Sequence, residues 1–319
     1  MRRAIARDFA ALSGVRVIVT LDERFPDEPG PWETVRVGKD QEEGTLARLA
    51  AGSDYTVLIA PETGGTLAKR ARLLEEYPGR SLGSSPTAIA WTGDKLWFGN
   101  SLRANGIVTP YAHLVRPGDG LLEWMSFPLV LKPKDGAGSI DTYFFETRKS
   151  FLKAKWNTYE VLLQEYVIGE PMSASFLVGR DGKARLIAVG RQFMNVIDSR
   201  FTYEGGRLPA PRELAEGDPR RAVELVSGLL GFVGVDFIRD EERNFATVLE
   251  INPRPTTSIV GLVRLLPPGL LAHAWIASVS GDGTELDRLD LAALIATQRP
   301  IEFRADGTIV ETTAEGGDS

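Results

Sequence analysis

Apolar residues along this chain recur with two different periods, and the order in which those periods alternate predicts its architecture. In AIARDFAAL, Ile5, Phe9 and Leu12 fall at helical spacing and Gly14 closes the segment. VRVIVTLD then alternates as a strand does, GTLARLAAG is helical, YTVLIAP is a strand, and TLAKRARLLEEYPG is a helix stopped at Pro78-Gly79. Strand and helix in alternation up to about residue 90 predict a small open α/β unit. Such a unit usually begins on a strand, whereas this chain begins on a helix. Either a first strand has been lost or the start has been placed downstream.

From TGDKLWFGNSLRANGI, a helix capped near Thr92, the pattern changes. FPLVLKP and DTYFFET read as strands around a glycine-rich loop, RKSFLKAKWN as a short helix and YEVLLQEYV as another strand. The next block carries hairpin signals. Asp181-Gly182 sits between two alternating apolar runs, Gly205-Gly206 marks a second hairpin within RFTYEGGRLPA, and VGVDFIRDEERNFATVLEINP is a third. DPRRAVELVSGLLG is a helix, and SIVGLVRLLPPGLLAHAWIASVSG supplies closing helices broken at Pro267-Pro268. The polar end ETTAEGGDS reads as loose. The expected organisation is an N-terminal α/β domain over 1–93, an α+β subdomain over 94–163, a second over 164–300 and a tail over 301–319.

Composition narrows the function. At 43% hydrophobic and 25% charged the chain is an ordinary globular protein. Its net charge of −6 is spread without a long basic run, so neither a nucleic acid nor an anionic membrane is the expected partner. There are no cysteines, which removes disulfides, thiolate nucleophiles and cysteine-based zinc sites and fits the reducing cytoplasm. His113 and His273 are the only histidines, too few for a histidine metal cluster, and little for a Ser-His-Asp centre to draw on. No apolar run approaches the ~20 residues of a membrane span, and Arg7 and Asp8 interrupt any signal-peptide core. A cytoplasmic protein is expected.

Three stretches carry chemistry. In VLKPKDGAGSID, Gly136 and Gly138 let backbone N–H groups turn towards a ligand, Ser139 adds a hydroxyl, and Lys132 ends the strand with a positive charge. That combination suits a polyphosphate, although a glycine-rich hairpin with a solvated lysine reads the same way. It is neither a Walker loop nor a dinucleotide fingerprint, because the lysine precedes the glycines. In VGVDFIRDEERNFATVLEINPRP, Glu250 and Asn252 are two residues apart and share a strand face, and a tight return around 239–245 brings Asp236 beside them. Three oxygen donors on paired strands suit a hard cation such as Mg²⁺; the alternative is that Arg239, Arg243 or Arg254 pairs with the acids. Arg254 is held between two prolines and could face an oxyanion, or could simply occupy a surface turn. In LLQEYVIGEP, a strand leads through Gln164 and Glu165 into a short linker whose backbone could meet an adenine edge, with Glu170 beyond it.

In this order and spacing, the lysine–glycine loop, QEYVIGEP and VGVDF…VLEINPRP resemble the ATP-grasp superfamily of carboxylate–amine ligases, over at least 90–260. The resemblance implies the ATP-grasp fold: an N-terminal open α/β domain followed by two α+β subdomains that clasp ATP. It further implies that Lys95 and Lys132 contact the ATP phosphates, that Gly136, Ala137, Gly138 and Ser139 form the mobile loop over them, and that Gln164, Glu165, Tyr166 and Val167 form the adenine hinge. Glu170 stands nearest the expected ribose carboxylate, one position from where many members carry it. Asp236, Glu250 and Asn252 match the magnesium ligands, two Mg²⁺ ions being expected with Mn²⁺ as a substitute, and Arg254 matches the arginine at the acyl transfer. GRQFMN…FTYEGG resembles the branch with tyramine–glutamate and pyrrolysine-biosynthesis ligases, making Arg191 and Gln192 candidates for phosphate or substrate contact; a polar hairpin face is the alternative.

The function implied is ATP-dependent amide formation through an acyl phosphate, on small-molecule carboxylate and amine substrates, glutamate being one candidate acid; the oligomeric state is left open, a homodimer being one candidate. A phosphotransferase on the same fold, and a nucleotide-binding protein that acts by interaction without turnover, are the alternatives.

Overall fold

The computed structural model describes residues 1–77, 79–116, 119, 125–136, 140–154, 161–240, 242–243, 245–281 and 283–310. After α1 (Arg2–Ala10), β1 (Ile18–Asp22) and β2 (Glu33–Val37) pair in parallel, and α2 (Glu42–Ala51) follows. Next come β3 (Tyr55–Thr56), α3 (Thr66–Leu74), β4 (Arg80–Ser81) and α4 (Pro86–Gly93), with β3 and β4 parallel. Leu67, Ala71 and Leu74 put the buried stripe of α3 at helical spacing. The expected strand YTVLIAP is a strand only at Tyr55–Thr56, because its partner β4 is equally short.

α1 touches this α/β unit through Arg2, which donates to Thr20 O (2.8 Å) and pairs with Glu28 (2.6 Å), but its apolar face packs elsewhere. Its Ile5 belongs to the core cluster of the C-terminal helices, and Phe9 meets the Trp275 ring at 5.9 Å. Buried Asp8 accepts 2.7 Å hydrogen bonds from the N–H groups of Gly269 and Ala272, satisfying donors at the start of a later helix. The helix at the front of the chain is therefore a brace for its far end.

α5 (Lys95–Ala104) is capped by Asp94, whose side chain accepts from the Trp97 N–H. This corrects the expected cap at Thr92: that hydroxyl instead donates 2.9 Å back to Ala88 O inside α4. β5 (Ala112–Val115), β6 (Leu129–Pro133), β7 (Tyr143–Phe145), α6 (Arg148–Lys153) and β8 (Val161–Glu165) follow, and the strands order antiparallel as β7-β6-β8-β5. Leu129, Leu131, Phe145, Phe151 and Leu163 form their core.

The remaining strands build a second antiparallel array: β9 (Glu170–Val178), β10 (Ala184–Ile197), β11 (Arg200–Ala210), then α7 (Asp218–Glu224), β12 (Gly231–Asp240) and β13 (Phe245–Asn252). α8 (Ile259–Leu265), α9 (Leu270–Ser280), α10 (Thr284–Leu289), α11 (Leu291–Ala296), β14 (Ile301–Arg304) and β15 (Ile309–Val310) complete the described chain. The order is β13-β12-β9-β10-β11, with β14 and β15 beyond β11. β11 also meets β7 through the single register pair Arg200↔Tyr143, which links the two arrays. Alternation along β9 sends Met172, Ala174, Phe176 and Val178 to one core and Leu177 to the other, under α8 and α9. Among the described residues no single helix is long and apolar enough to cross a membrane; α8 and α9 pass that test only as a pair, and they are bent by 112°.

One expected hairpin is corrected. Gly205 and Gly206 lie inside β11, where a Cβ on Gly205 would stand 2.0 Å from Phe303 O; they admit β14, not a turn. The reversal falls at Asp198-Ser199, both with positive φ (48° and 63°), the geometry of a primed hairpin turn. The tail from 311 lies outside the described residues.

Candidate active site

A cleft of about 420 Å³ runs between the two strand arrays. Lys132 and the hinge residues line it from β6 and β8, and Asp236, Glu250, Asn252 and Arg254 from β12, β13 and the turn that follows. The β12–β13 register explains how the acids meet. A bulge at Leu249 lies between the pairs Asp236↔Glu250 and Phe237↔Val248, so the two carboxylates stand directly opposite on one sheet face. Asn252, two residues on, shares that face opposite Gly234.

The polar contacts form one connected set. Lys95 Nζ, from the first turn of α5, donates to Glu250 Oε2 (2.5 Å) and to Gly136 O (2.9 Å). Asp236 accepts from Gln192 Nε2 (2.9 Å) on one oxygen and from Asn252 Nδ2 (3.0 Å) on the other. Arg254 donates through Nε to Glu62 Oε1 (2.9 Å), through Nη1 to Pro255 O (3.2 Å), and through Nη2 to Asn252 Oδ1 (3.4 Å). Among the described residues the acids' hydrogen-bond partners are thus one lysine and two amides, with no bond from Arg239, Arg243 or Arg254, although the nearby Arg254 charge also favours both carboxylates.

Burial sets the electrostatics. Desolvation pushes Asp236 well above the usual carboxylate range, and the neighbouring Glu250 charge adds to it. Burial opposes ionisation of Glu250 too, but Lys95 and Lys132 together outweigh it and hold that carboxyl low. Lys132 is desolvated and repelled by Lys95, so its pKa falls to about 8 despite the pull of Glu250. For Lys95 burial acts downward and Glu250 outweighs it, leaving the pKa above the ordinary value. Two largely desolvated carboxylates facing the partly buried Lys95 and the buried Lys132 form a site suited to further charge of both signs.

The hinge is Gln164 to Val167, all of which line the cleft. The N–H of Glu165 bonds Tyr111 O (3.0 Å) and that of Tyr166 bonds Pro128 O (3.3 Å), which fixes the segment's path. Val130, Val167, Ile238 and Leu249 make this end of the cleft apolar. Gly169 has φ of +148°, and a Cβ there would lie 2.3 Å from Arg239 O, so only glycine lets the linker cross β12 so closely.

Two expected residues are not brought into the cleft. Glu170 pairs with Arg191 at 3.0 Å and with Arg239 at 3.6 Å, and neither Glu170 nor Arg191 lines the cavity. Alternation along β10 explains it: Gln192, Met194 and Val196 face the cleft, and Arg191 faces away. The loop residues Ala137, Gly138 and Ser139 lie outside the described residues; Gly136 lines the cleft. Glu62 was not anticipated. It ends the apolar run LIAPE, and an acid directly after a buried-strand pattern was its only signal.

The ATP-grasp domain family matches residues 92–258, and the pre-ATP-grasp 3 domain family matches 15–89. This chain belongs to the ATP-grasp family. Tyramine–L-glutamate ligase of Methanocaldococcus fervens is 31% identical over 219 residues, covering 66% of this chain and 61% of that protein. Its counterpart from Methanocaldococcus jannaschii is 30% identical over 239 residues, covering 72% and 66%. The chain thus spans just under two thirds of the length of these curated relatives. Among solved structures, an L-amino acid ligase from Bacillus licheniformis superposes with a TM-score of 0.66 at 20% identity, covering 82% of this chain and 67% of that one. At that identity the likeness shows the fold alone, and the fold is the ATP-grasp fold.

Proposed function

We propose that this ATP-grasp protein is an ATP-dependent ligase that joins a carboxylate to an amine, releasing ADP and phosphate. The observation that carries the proposal is the convergence of Lys95, Lys132, Asp236, Glu250, Asn252 and Arg254 on one cleft with an apolar, backbone-lined end. Adenine lies against the hinge, where the Val167 backbone is the group available to its edge. Lys132 and Lys95 then face the phosphates, and Lys95 exchanges Glu250 for a phosphate oxygen. Gly136, at the edge of the cleft, faces the triphosphate as the β5–β8 array swings about its narrow link to β11.

The donor set suits a divalent cation. Asp236 and Glu250 stand side by side with the Asn252 carbonyl oxygen, and Asp236 resists ionising without added positive charge. Among the described residues no group of three or more His, Cys, Asp or Glu side chains suited to hold a metal ion occurs, so a cation held here would also draw on water and phosphate oxygens. Magnesium held there supplies neutralisation of the β- and γ-phosphate charge.

The substrate carboxylate attacks the γ-phosphorus while Lys132 offsets charge developing on the phosphoryl oxygens. The amine then attacks the acyl phosphate, with the Arg254 Nη atoms facing the tetrahedral oxyanion. No side-chain nucleophile is required. Glutamate as the acid and an aromatic amine as the acceptor are the substrates we favour. The names of the relatives support them, and so do Met194, Phe201 and Tyr203 in the cleft wall.

Incubation with ATP, magnesium, amino acids and amines, read by mass spectrometry, tests the proposal. An amide with stoichiometric ADP is expected. A phosphorylated acid released without amide would make the protein a phosphotransferase, and ATP binding without turnover would make it a nucleotide-binding module.

A further inference from the structure

The arginine assigned to acyl transfer is held from outside the ATP-grasp domain. Glu62 lies in the turn between β3 and α3, 192 positions before Arg254, and its carboxylate is almost wholly buried at 7% exposure. Of the three contacts on the Arg254 guanidinium, the bond from Nε to Glu62 Oε1 is the shortest and the only one to a charged acceptor. Arg–carboxylate pairs are frequently bidentate. Here Glu62 Oε2 is buried with no hydrogen-bond partner, so one bond at Nε holds the guanidinium to this acid, while the two Nη groups make only the longer bonds to Pro255 O and Asn252 Oδ1 at the wall of the cleft that Arg254 lines.

The turn that carries Glu62 is itself fixed. Gly64 and Gly65 adopt φ of +63° and +69°, and the Gly64 N–H donates 2.8 Å to Asp135 Oδ2 at the start of the glycine loop. One short turn of the N-terminal unit therefore grips both the arginine and Asp135, which directly follows β6.

We propose that Glu62 is a positioning residue: through Nε it sets the orientation of the Arg254 guanidinium for the acyl-transfer step, so that the N-terminal unit completes the catalytic centre. The proposal rests on the ligase reading given above. Glu62→Gln keeps the shape and removes the charge that orients the fork. A misplaced catalytic group can cost about 10²-fold in rate. The expectation is therefore a fall of about that size in kcat for amide formation, with KM for ATP within about twofold and native near-UV circular dichroism.

Rate alone does not separate positioning from structure, so the decisive readout is a double-mutant cycle with Arg254→Lys. If Glu62 acts through the arginine, Glu62→Gln costs little more once Arg254 is replaced. Multiplicative losses, or a Glu62→Gln enzyme with wild-type kcat, overturn the proposal. Should Glu62→Gln lose its native circular dichroism, Glu62→Asp decides instead: kcat reduced at least tenfold with KM for ATP retained supports positioning, and unchanged kcat refutes it. A wild-type enzyme that consumes ATP without making amide would refute the ligase reading and not this coupling, since the same cycle is then read on ADP release.

Discussion

Replacing Lys132 with methionine should make the free protein more stable and its grip on ATP weaker. The reason lies in the burial of the ammonium group. Its pKa drops from 10.5 to about 8, chiefly through desolvation, which outweighs the attraction of Glu250 and is reinforced by repulsion from Lys95. A drop of that size corresponds to about 3 kcal/mol of cost for carrying the charge at pH 7. Methionine keeps a stem of similar length and removes the charge, so Lys132→Met should gain about 1–3 kcal/mol and a few degrees in Tm. The sign can be followed with pH. The unfolded lysine holds its proton to about pH 10.5 and the folded one releases it near 8, so between those values the unfolded state binds more protons. Wild-type stability therefore rises through that window, and the advantage of Lys132→Met, full below pH 8, shrinks above it. ATP affinity moves the other way. Loss of a charge-assisted contact of about 1.5–3 kcal/mol weakens Kd about 10- to 100-fold. Urea titrations at pH 7 and 9.5 without divalent cation, together with calorimetric ATP titrations, measure both. A variant that unfolds more easily than wild type at pH 7, or binds ATP as tightly, refutes the reasoning.

Two other outcomes are expected. Glu250→Gln removes the carboxylate that both pairs with Lys95 and faces Asp236, and should cut ADP formation by at least about 10²-fold while circular dichroism stays native; near-wild-type turnover would remove Glu250 from the centre. Asp8→Ala strips the two bonds at the start of α9 and should cost about 1–2 kcal/mol in denaturant titrations with ATP affinity unchanged, since Asp8 is not in the cleft; equal stability would deny it a capping role.

Much of this molecule is legible along its chain, for identifiable reasons. Glu250 and Asn252 were placed on one face because a strand's period of two leaves no choice, and Asp181-Gly182 marked its hairpin because both residues favour tight turns. The strand-ending Lys132 and the acid pair could be assigned to one site because their order matches a family in which those positions converge. What escaped depends on contacts between distant segments. Gly205-Gly206 looked like a turn, yet its glycines answer the close approach of β14, nearly a hundred residues later. The true reversal at Asp198-Ser199 has no glycine to announce it. Arg191 and Gln192 could not be told apart until the phase of β10 was known, and that phase puts Gln192 on Asp236 and Arg191 on Glu170. Glu62 was invisible because nothing near it in sequence hints at a partner 192 residues on. The opening helix packs on α9 and the C-terminal core, a contact that nothing in its own sequence announces.

The account stands on one arrangement: a triphosphate held between the β6 lysine and the paired acids of the β12–β13 hairpin. A crystal structure with a non-hydrolysable ATP analogue and magnesium measures it directly. The account predicts phosphate oxygens on Lys95 and Lys132, a cation on Asp236, Glu250 and Asn252, and the base against 164–167. An analogue bound elsewhere, or Lys95 still bonded to Glu250 with no phosphate or cation among these side chains, would contradict it.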